Sequence, residues 1–152
     1  MNPVIRAVTP DEWQRWRELR LLALRESAAA FCSRYDEWAD ADEARWRQRL
    51  SGDAINAMAL DGEQPVGMVT GTWSNHGVEL TSMYVAPAAR RARVGEALIA
   101  AVTSWARQRG APLLRLEVKP DNLGAIALYE RLGFAHAGRS ANGAELVMNR
   151  PL

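Results

Sequence analysis

The 152-residue sequence predicts an α/β fold, a mixed sheet flanked by helices in the order β-α-α-β-β-β-α-β-α-β-β. One helical periodicity and a run of strand segments punctuated by turns carry this reading. Val94, Ala97, Leu98, Ala101, Val102 and Trp105 follow the i, i+3, i+4, i+7 spacing of a helix with one apolar face. Ile55–Leu60, Pro65–Trp73 and Val78–Val85 read as strands because turn residues separate them and Pro87 ends the last.

Taken in order, Val4–Val8 reads as an opening strand. Thr9-Pro10-Asp11-Glu12 then combines a capping threonine, a proline at the first helical position and a glutamate three residues after the cap. Trp13, Trp16, Leu19, Leu22 and Ala23 continue at helical spacing to about Ser27. Ala28–Ala39 is irregular in pattern, and a second helix is expected over Asp40–Leu50 with Trp46 and Leu50 on one face. The β segments follow, joined by a hairpin connection at Asp61-Gly62-Glu63-Gln64 and a turn at Ser74–Gly77. The long helix stops at Gly110 and Pro112. Leu113–Val118 is a buried-looking strand, Asn122–Leu132 a short helix closed by Gly133, and two last strands flank Ala141-Asn142-Gly143.

Composition narrows the class. The chain is 48% hydrophobic and 24% charged, the balance of a soluble globular protein, and its length suits one domain over residues 1–152. No apolar run approaches the roughly 20 residues that span a bilayer. The start, Met1-Asn2-Pro3-Val4-Ile5-Arg6, lacks the apolar core of a signal peptide, so a cytoplasmic location is expected. The lone Cys32 leaves no internal disulfide. His76 and His136 have no ligand cluster at metal spacing, so no metal site is expected. A net charge of +1 gives no general basic field for nucleic acid.

Three features point to chemistry. The first is Arg90-Arg91-Ala92-Arg93-Val94-Gly95 with Glu96, a turn that opens the long helix. Unpaired first-turn N–H groups and the helix dipole favour an anion there. Small residues such as Ala92 and Gly95 admit close backbone approach, and the arginines add charge. An arginine-rich cap on a solvated helix has the same appearance. The second is Tyr129, on the short helix, which either packs its ring on the sheet or presents a phenol. The third is Glu79, which alternation places on one strand face with Thr81, Met83 and Val85.

Tyr84-Val85-Ala86-Pro87, Arg90 through Gly95 and Ala97-Leu98-Ile99 resemble the central motif of the GCN5-related N-acetyltransferase (GNAT) superfamily, Gln/Arg-x-x-Gly-x-Gly/Ala. Arg93 stands where the first glycine is expected. If Arg93 is helical its N–H still donates, whereas a φ above zero there would weaken cofactor binding. Asn122-Leu123-Gly124-Ala125-Ile126-Ala127-Leu128-Tyr129-Glu130-Arg131-Leu132-Gly133-Phe134 is similar to the family's later motif, Asn-x-x-Ala-x-x-Leu-Tyr-x-x-x-Gly-Phe, at every fixed position.

The resemblance implies a mixed, mostly antiparallel GNAT-like sheet and transfer of an acetyl group from acetyl-CoA to a primary amine in a ternary complex. It implies that Arg90–Glu96 holds the pyrophosphate. The strand of Met83, Tyr84 and Val85 would pair with the pantetheine arm and polarise the carbonyl through a backbone N–H. Tyr129 is then the acid that meets the leaving thiolate, and it lies beside the cofactor. Glu79 is a candidate base, with Glu117 a rival and ordered water an alternative. Asn122 binds the cofactor arm, caps its helix, or does both.

The acceptor, a small-molecule or peptide amine, would be shaped by Phe31–Trp38 and Arg139–Glu145, where Asp36 and Glu37 lie near aromatic residues. No nucleic-acid or membrane partner is expected, and a homodimer is left open. A non-catalytic acyl-CoA-binding module and an arginine-based interaction domain are the competing classes.

Overall fold

The computed structural model describes residues 2–26 and 35–152. Cys32 and the segment Phe31–Arg34 lie outside them. The first elements are strand β1 (Val4–Ala7), helix α1 (Trp13–Glu26), the short helix α2 (Tyr35–Ala39) and helix α3 (Glu43–Arg49). Strands β2 (Ala54–Asp61), β3 (Gln64–Ser74) and β4 (Gly77–Val85) follow. The chain then runs through α4 (Val94–Gln108), β5 (Leu113–Val118), α5 (Leu123–Arg131), β6 (Ala135–Arg139) and β7 (Leu146–Pro151).

The strands form one seven-stranded sheet in the order β1-β2-β3-β4-β5-β7-β6. Of the pairings, β4 with β5 is parallel and the others are antiparallel. The expected mixed, mostly antiparallel sheet is therefore present. Of the described helices, none is long and apolar enough to cross a membrane.

Two faces build two cores. On one, α4 and α5 cover Ala57, Val69, Val78, Leu80, Leu114 and Met148. Val94, Leu98 and Val102 of the periodic face read in the sequence are buried, joined by Ile99, Thr103 and Ala106, while Ala97, Ala101 and Trp105 are half-buried at its margin. Fully burying each such side chain contributes about 1.5–3 kcal/mol. The helix approaches β3 closely because Gly67 and Gly71 lie beneath it. A Cβ at Gly71 would stand 2.6 Å from Val102 Cγ1. On the other face, α1 and α3 bring Trp16 and Trp46 onto Met58, Met68 and Tyr84.

Several local expectations are corrected. Thr9 does not cap α1 with its side chain; Pro10–Glu12 forms a 3₁₀ turn and the α-helix begins at Trp13. The Glu12 carboxylate is drawn to Arg6 at 2.6 Å instead of closing a capping box. Within the stretch read as irregular, Tyr35–Ala39 is helical. The helix expected over Asp40–Leu50 starts later, because Asp42 accepts from the Arg45 N–H at 2.9 Å and fixes the N-terminus there.

The strict alternation of β4 also fails. Thr81 pairs with Thr70 and Tyr84 with Met68, so Val69 alone faces both Ser82 and Met83. This is a β-bulge, with Ser82 in the left-handed region at φ 55°. Up to Leu80 the even residues face α4; beyond the bulge Met83 and Val85 do. Glu79 and Thr81 consequently lie on the opposite face from Met83 and Val85.

Candidate active site

Strands β4 and β5 pair at Val78 with Leu114, Glu79 with Arg115 and Leu80 with Leu116, and then part. The bulge at Ser82 bends β4 away from its neighbour, as an extra residue in one strand does. The gap is a cleft of about 1260 Å³. Its walls are the β4 edge from Thr81 to Val85, the end of β5, the turn before α4, and α5. It reaches both faces of the sheet, since Tyr84 and Met83 point opposite ways and both line it.

The turn before α4 closes one end. Arg91 and Arg93 both adopt left-handed backbone, at φ 68° and 61°. Arg93 is the residue preceding the helix, with ψ 21° and no side-chain cap bond. The N–H groups of Val94, Gly95 and Glu96 have no intrahelical acceptor, so a concentration of partial positive charge faces the cleft. Gly95 is tucked against Met83 and Leu128, where a Cβ would meet Met83 Cε at 3.1 Å and Leu128 Cδ2 at 3.2 Å. Any side chain there would push on the cleft wall.

The three arginines divide their work. Arg90 is held by the chain itself: its Nε donates to the Val85 carbonyl at 3.0 Å and a terminal nitrogen pairs with Glu26 at 3.2 Å. Arg91 and Arg93 are exposed at the cleft with no ion pair to the described residues. The sequence leaves open whether Arg93 is helical; it takes the branch with φ above zero. A non-glycine residue there carries about 1–2 kcal/mol of backbone strain. Arg93→Gly should therefore raise stability by about 1 kcal/mol, read as a higher denaturant midpoint. An unchanged or lower midpoint would contradict the strain.

Tyr129 lines the cleft from α5. Its ring packs against Phe134 at a centroid distance of 5.7 Å. Burial pushes its phenol up to about 12, so it keeps its proton throughout the physiological range. Asn122 caps α5, accepting from the Ala125 N–H at 3.3 Å, and also lines the cleft.

Glu79 is placed differently from the other expected residues. It faces Arg115 across the parallel pair, at 2.5 Å, and Arg115 also reaches Glu117 at 3.2 Å. Burial raises the Glu79 carboxyl above its ordinary value, and the Arg115 charge opposes the rise. Glu117 lines the cleft and Glu79 does not.

Sequence reasoning missed Glu26. It ends α1, lines the cleft, and accepts from the Tyr84 hydroxyl at 2.9 Å across 58 residues of chain. Burial and then the Glu26 carboxylate push the Tyr84 phenol up to about 12. No local pattern signals such a pairing. The aromatic residues near Asp36 and Glu37 are engaged by the chain's own cations: Arg25 lies over Tyr35 and Arg45 over Trp38. His76 and His136 are exposed, and His136 faces Glu130 at 3.3 Å. Among the described residues no cluster suits a metal ion.

Comparison with known proteins gives the family. Residues 13–134 match the family model for the acetyltransferase (GNAT) family. The chain is 31% identical over 151 residues to an aminoglycoside N(6′)-acetyltransferase type 1 of Stenotrophomonas maltophilia, covering 90% of this chain and 89% of that protein. It is 33% identical over 134 residues to a mycothiol acetyltransferase of a Nocardioides strain, covering 75% of this chain and 45% of that longer protein. In fold it superposes on the PaiA N-acetyltransferase of Thermoplasma acidophilum, solved with coenzyme A, with a TM-score of 0.82 at 17% identity over the whole of both chains. With its parted parallel strands and both motifs in place, the chain belongs to the acetyltransferase (GNAT) family and is an acyltransferase.

Proposed function

We propose that the chain transfers an acetyl group from acetyl-CoA to a primary amine of a small molecule, by direct attack in a ternary complex. The observation that carries this is the cleft between β4 and β5, with the unpaired N–H groups of α4 at one end and the Tyr129 phenol in its wall. A long ligand with phosphates at one end and a reactive thioester at the other fits that layout. The N–H groups of Val94, Gly95 and Glu96, with Arg91, Ala92 and Arg93, take the pyrophosphate. Arg90 shapes the turn through Val85 and Glu26. The β4 edge at Met83, Tyr84 and Val85 takes the pantetheine arm through main-chain groups, and Asn122 flanks it.

In the reaction the amine nitrogen attacks the thioester carbonyl carbon. A C–N bond forms, the C–S bond breaks, and a backbone N–H of β4 stabilises the charge that grows on oxygen. Tyr129 donates a hydrogen bond or its proton to the departing sulfur. The amine proton leaves to Glu117 or to water, with Glu79 set behind them through Arg115. A carboxylate on this face also favours the approach of a cationic amine. The two relatives, an aminoglycoside N(6′)-acetyltransferase and a mycothiol acetyltransferase, are both named for small molecules, which supports a small-molecule acceptor over a peptide.

The test is calorimetry with acetyl-CoA followed by a thiol-release assay over small amines and over lysine and N-terminal peptides. Micromolar binding and turnover of small amines is the expected result. Failure to bind acetyl-CoA removes the reading altogether. Binding without turnover of any amine favours a non-catalytic module, and turnover confined to peptides overturns the acceptor class.

A further inference from the structure

Arg49, the last residue of α3, carries a charge into the sheet with no acidic partner among the described residues. Its guanidinium donates to Asn56 Oδ1 at 3.0 Å on β2, to Thr70 Oγ1 at 2.9 Å on β3 and to Ser82 Oγ at 3.1 Å on β4. The Thr70 hydroxyl donates in turn to Asn56 Oδ1 at 2.9 Å. The indole of Trp16 lies beneath, 5.5 Å from the guanidinium carbon. All three acceptors are neutral, and burial holds the Arg49 guanidinium below its ordinary value. Nearby Arg20 is brought down to about 10, by burial and by the Arg49 charge. Drawing a cation partly out of water onto neutral acceptors alone is costly, and what it holds in place can offset that cost.

What it touches suggests the role. Ser82 is the bulge residue held at φ 55°, and it lines the cleft where β4 and β5 part. A serine in left-handed backbone needs an outside hold to stay there, and the Arg49 fork supplies one on its side chain. The bulge in turn decides which backbone groups of Met83–Val85 face the missing strand and which side chains face α4.

We propose that Arg49 is a positioning residue for the thioester: by clamping the Ser82 bulge across three strands, it aims the β4 backbone donor at the acetyl carbonyl. This rests on the acetyl-CoA reading above. It does not require Arg49 to touch any ligand.

The test needs no knowledge of the acceptor. Calorimetry compares CoA with acetyl-CoA on the wild type, Arg49→Met, Ser82→Gly and the double variant. The two ligands differ by the acetyl group, so their affinity ratio reports the hold on the acetyl carbonyl. The wild type should prefer acetyl-CoA, and Arg49→Met should cut that preference by about 2- to 10-fold, the worth of one hydrogen bond, with CoA affinity retained. Ser82→Gly in the same chain should restore the preference, because glycine adopts the left-handed region without a clamp.

A general structural defect would weaken both ligands alike, which would overturn the proposal. So would an unchanged preference in Arg49→Met, no recovery in the double variant, or equal wild-type affinity for the two ligands. If Arg49→Met does not fold, Arg49→Lys, which keeps the charge but loses the fork, should show a partial loss of preference; none would overturn it. Binding of neither ligand by the wild type would instead remove the cofactor reading on which it stands.

Discussion

Tyr129→Phe should lower turnover about 100-fold while leaving acetyl-CoA affinity within a few-fold of wild type. The ring packing on Phe134 survives the change, so the loss is that of the hydroxyl. A phenol held near 12 is protonated at every working pH, so in the proposed step a departing thiolate would meet a donor rather than a second anion. It gives up that proton reluctantly, so much of its worth would be a hydrogen bond that strengthens as negative charge gathers on sulfur. Steady-state kinetics with a responsive amine, beside calorimetry, read both quantities. Wild-type turnover would remove Tyr129 from the mechanism.

The same shift has a sign for stability. The unfolded chain releases this proton near 10 and the folded chain holds it to about 12, so at alkaline pH the unfolded state binds fewer protons. The contribution is fully present below pH 10 and is lost as pH rises towards 12, by about 2–3 kcal/mol. No alkaline fall in rate below pH 10 should originate in Tyr129. Denaturant midpoints at pH 7 and pH 11 should fall less for Tyr129→Phe than for wild type.

Gly77→Ala should cost about 3 kcal/mol or more, read as a fall in denaturant midpoint. Gly77 opens β4 at φ 140°, a conformation that side chains rarely adopt, and its added Cβ would run into the backbone carbonyl of Leu113. That carbonyl starts β5. The parallel contact between the two strands covers Val78–Leu80 and Leu114–Leu116, so it has no spare length to absorb a shift. Acetyl-CoA binding should weaken in step, since the cleft begins where that short contact ends. A stability within about 1 kcal/mol of wild type, on the order of a surface substitution, would show that the strands can slide to accommodate it.

Much of this was legible in the residues. The helical spacing on α4 is a local periodicity and the segments of β2 and β3 are set off by local turn residues, and the elements appear where those signals lie. Gly-bearing turns and the Asn122 cap are local too. The order of strands is not local: β7 inserts between β5 and β6 through pairings such as Leu116 with Met148, which no nearby residue announces. Ser82 carries no sign of left-handed backbone, so strict alternation put Glu79 on the same face as Met83, and the bulge places them on opposite faces. Glu26 was invisible because the hydroxyl it meets belongs to a strand far along the chain. Arg93 lay between, since its neighbours showed that a turn was needed while its own side chain argued against the φ it adopts.

The parting of β4 and β5 gives the sheet two edges in its interior as well as those at its rim. Exposed strand edges invite pairing with other chains, and proteins ordinarily blunt them with charge, bulges or a covering element. Here the bulge at Ser82 and the charges at Arg115 and Glu117 do part of that. On the proposed reading a ligand lying between the strands would do the rest, standing in for a strand the chain does not encode. Its binding would raise stability by mass action as well as enable the chemistry. In a cell the supply of that ligand would then govern how much intact protein survives, apart from how fast each molecule works.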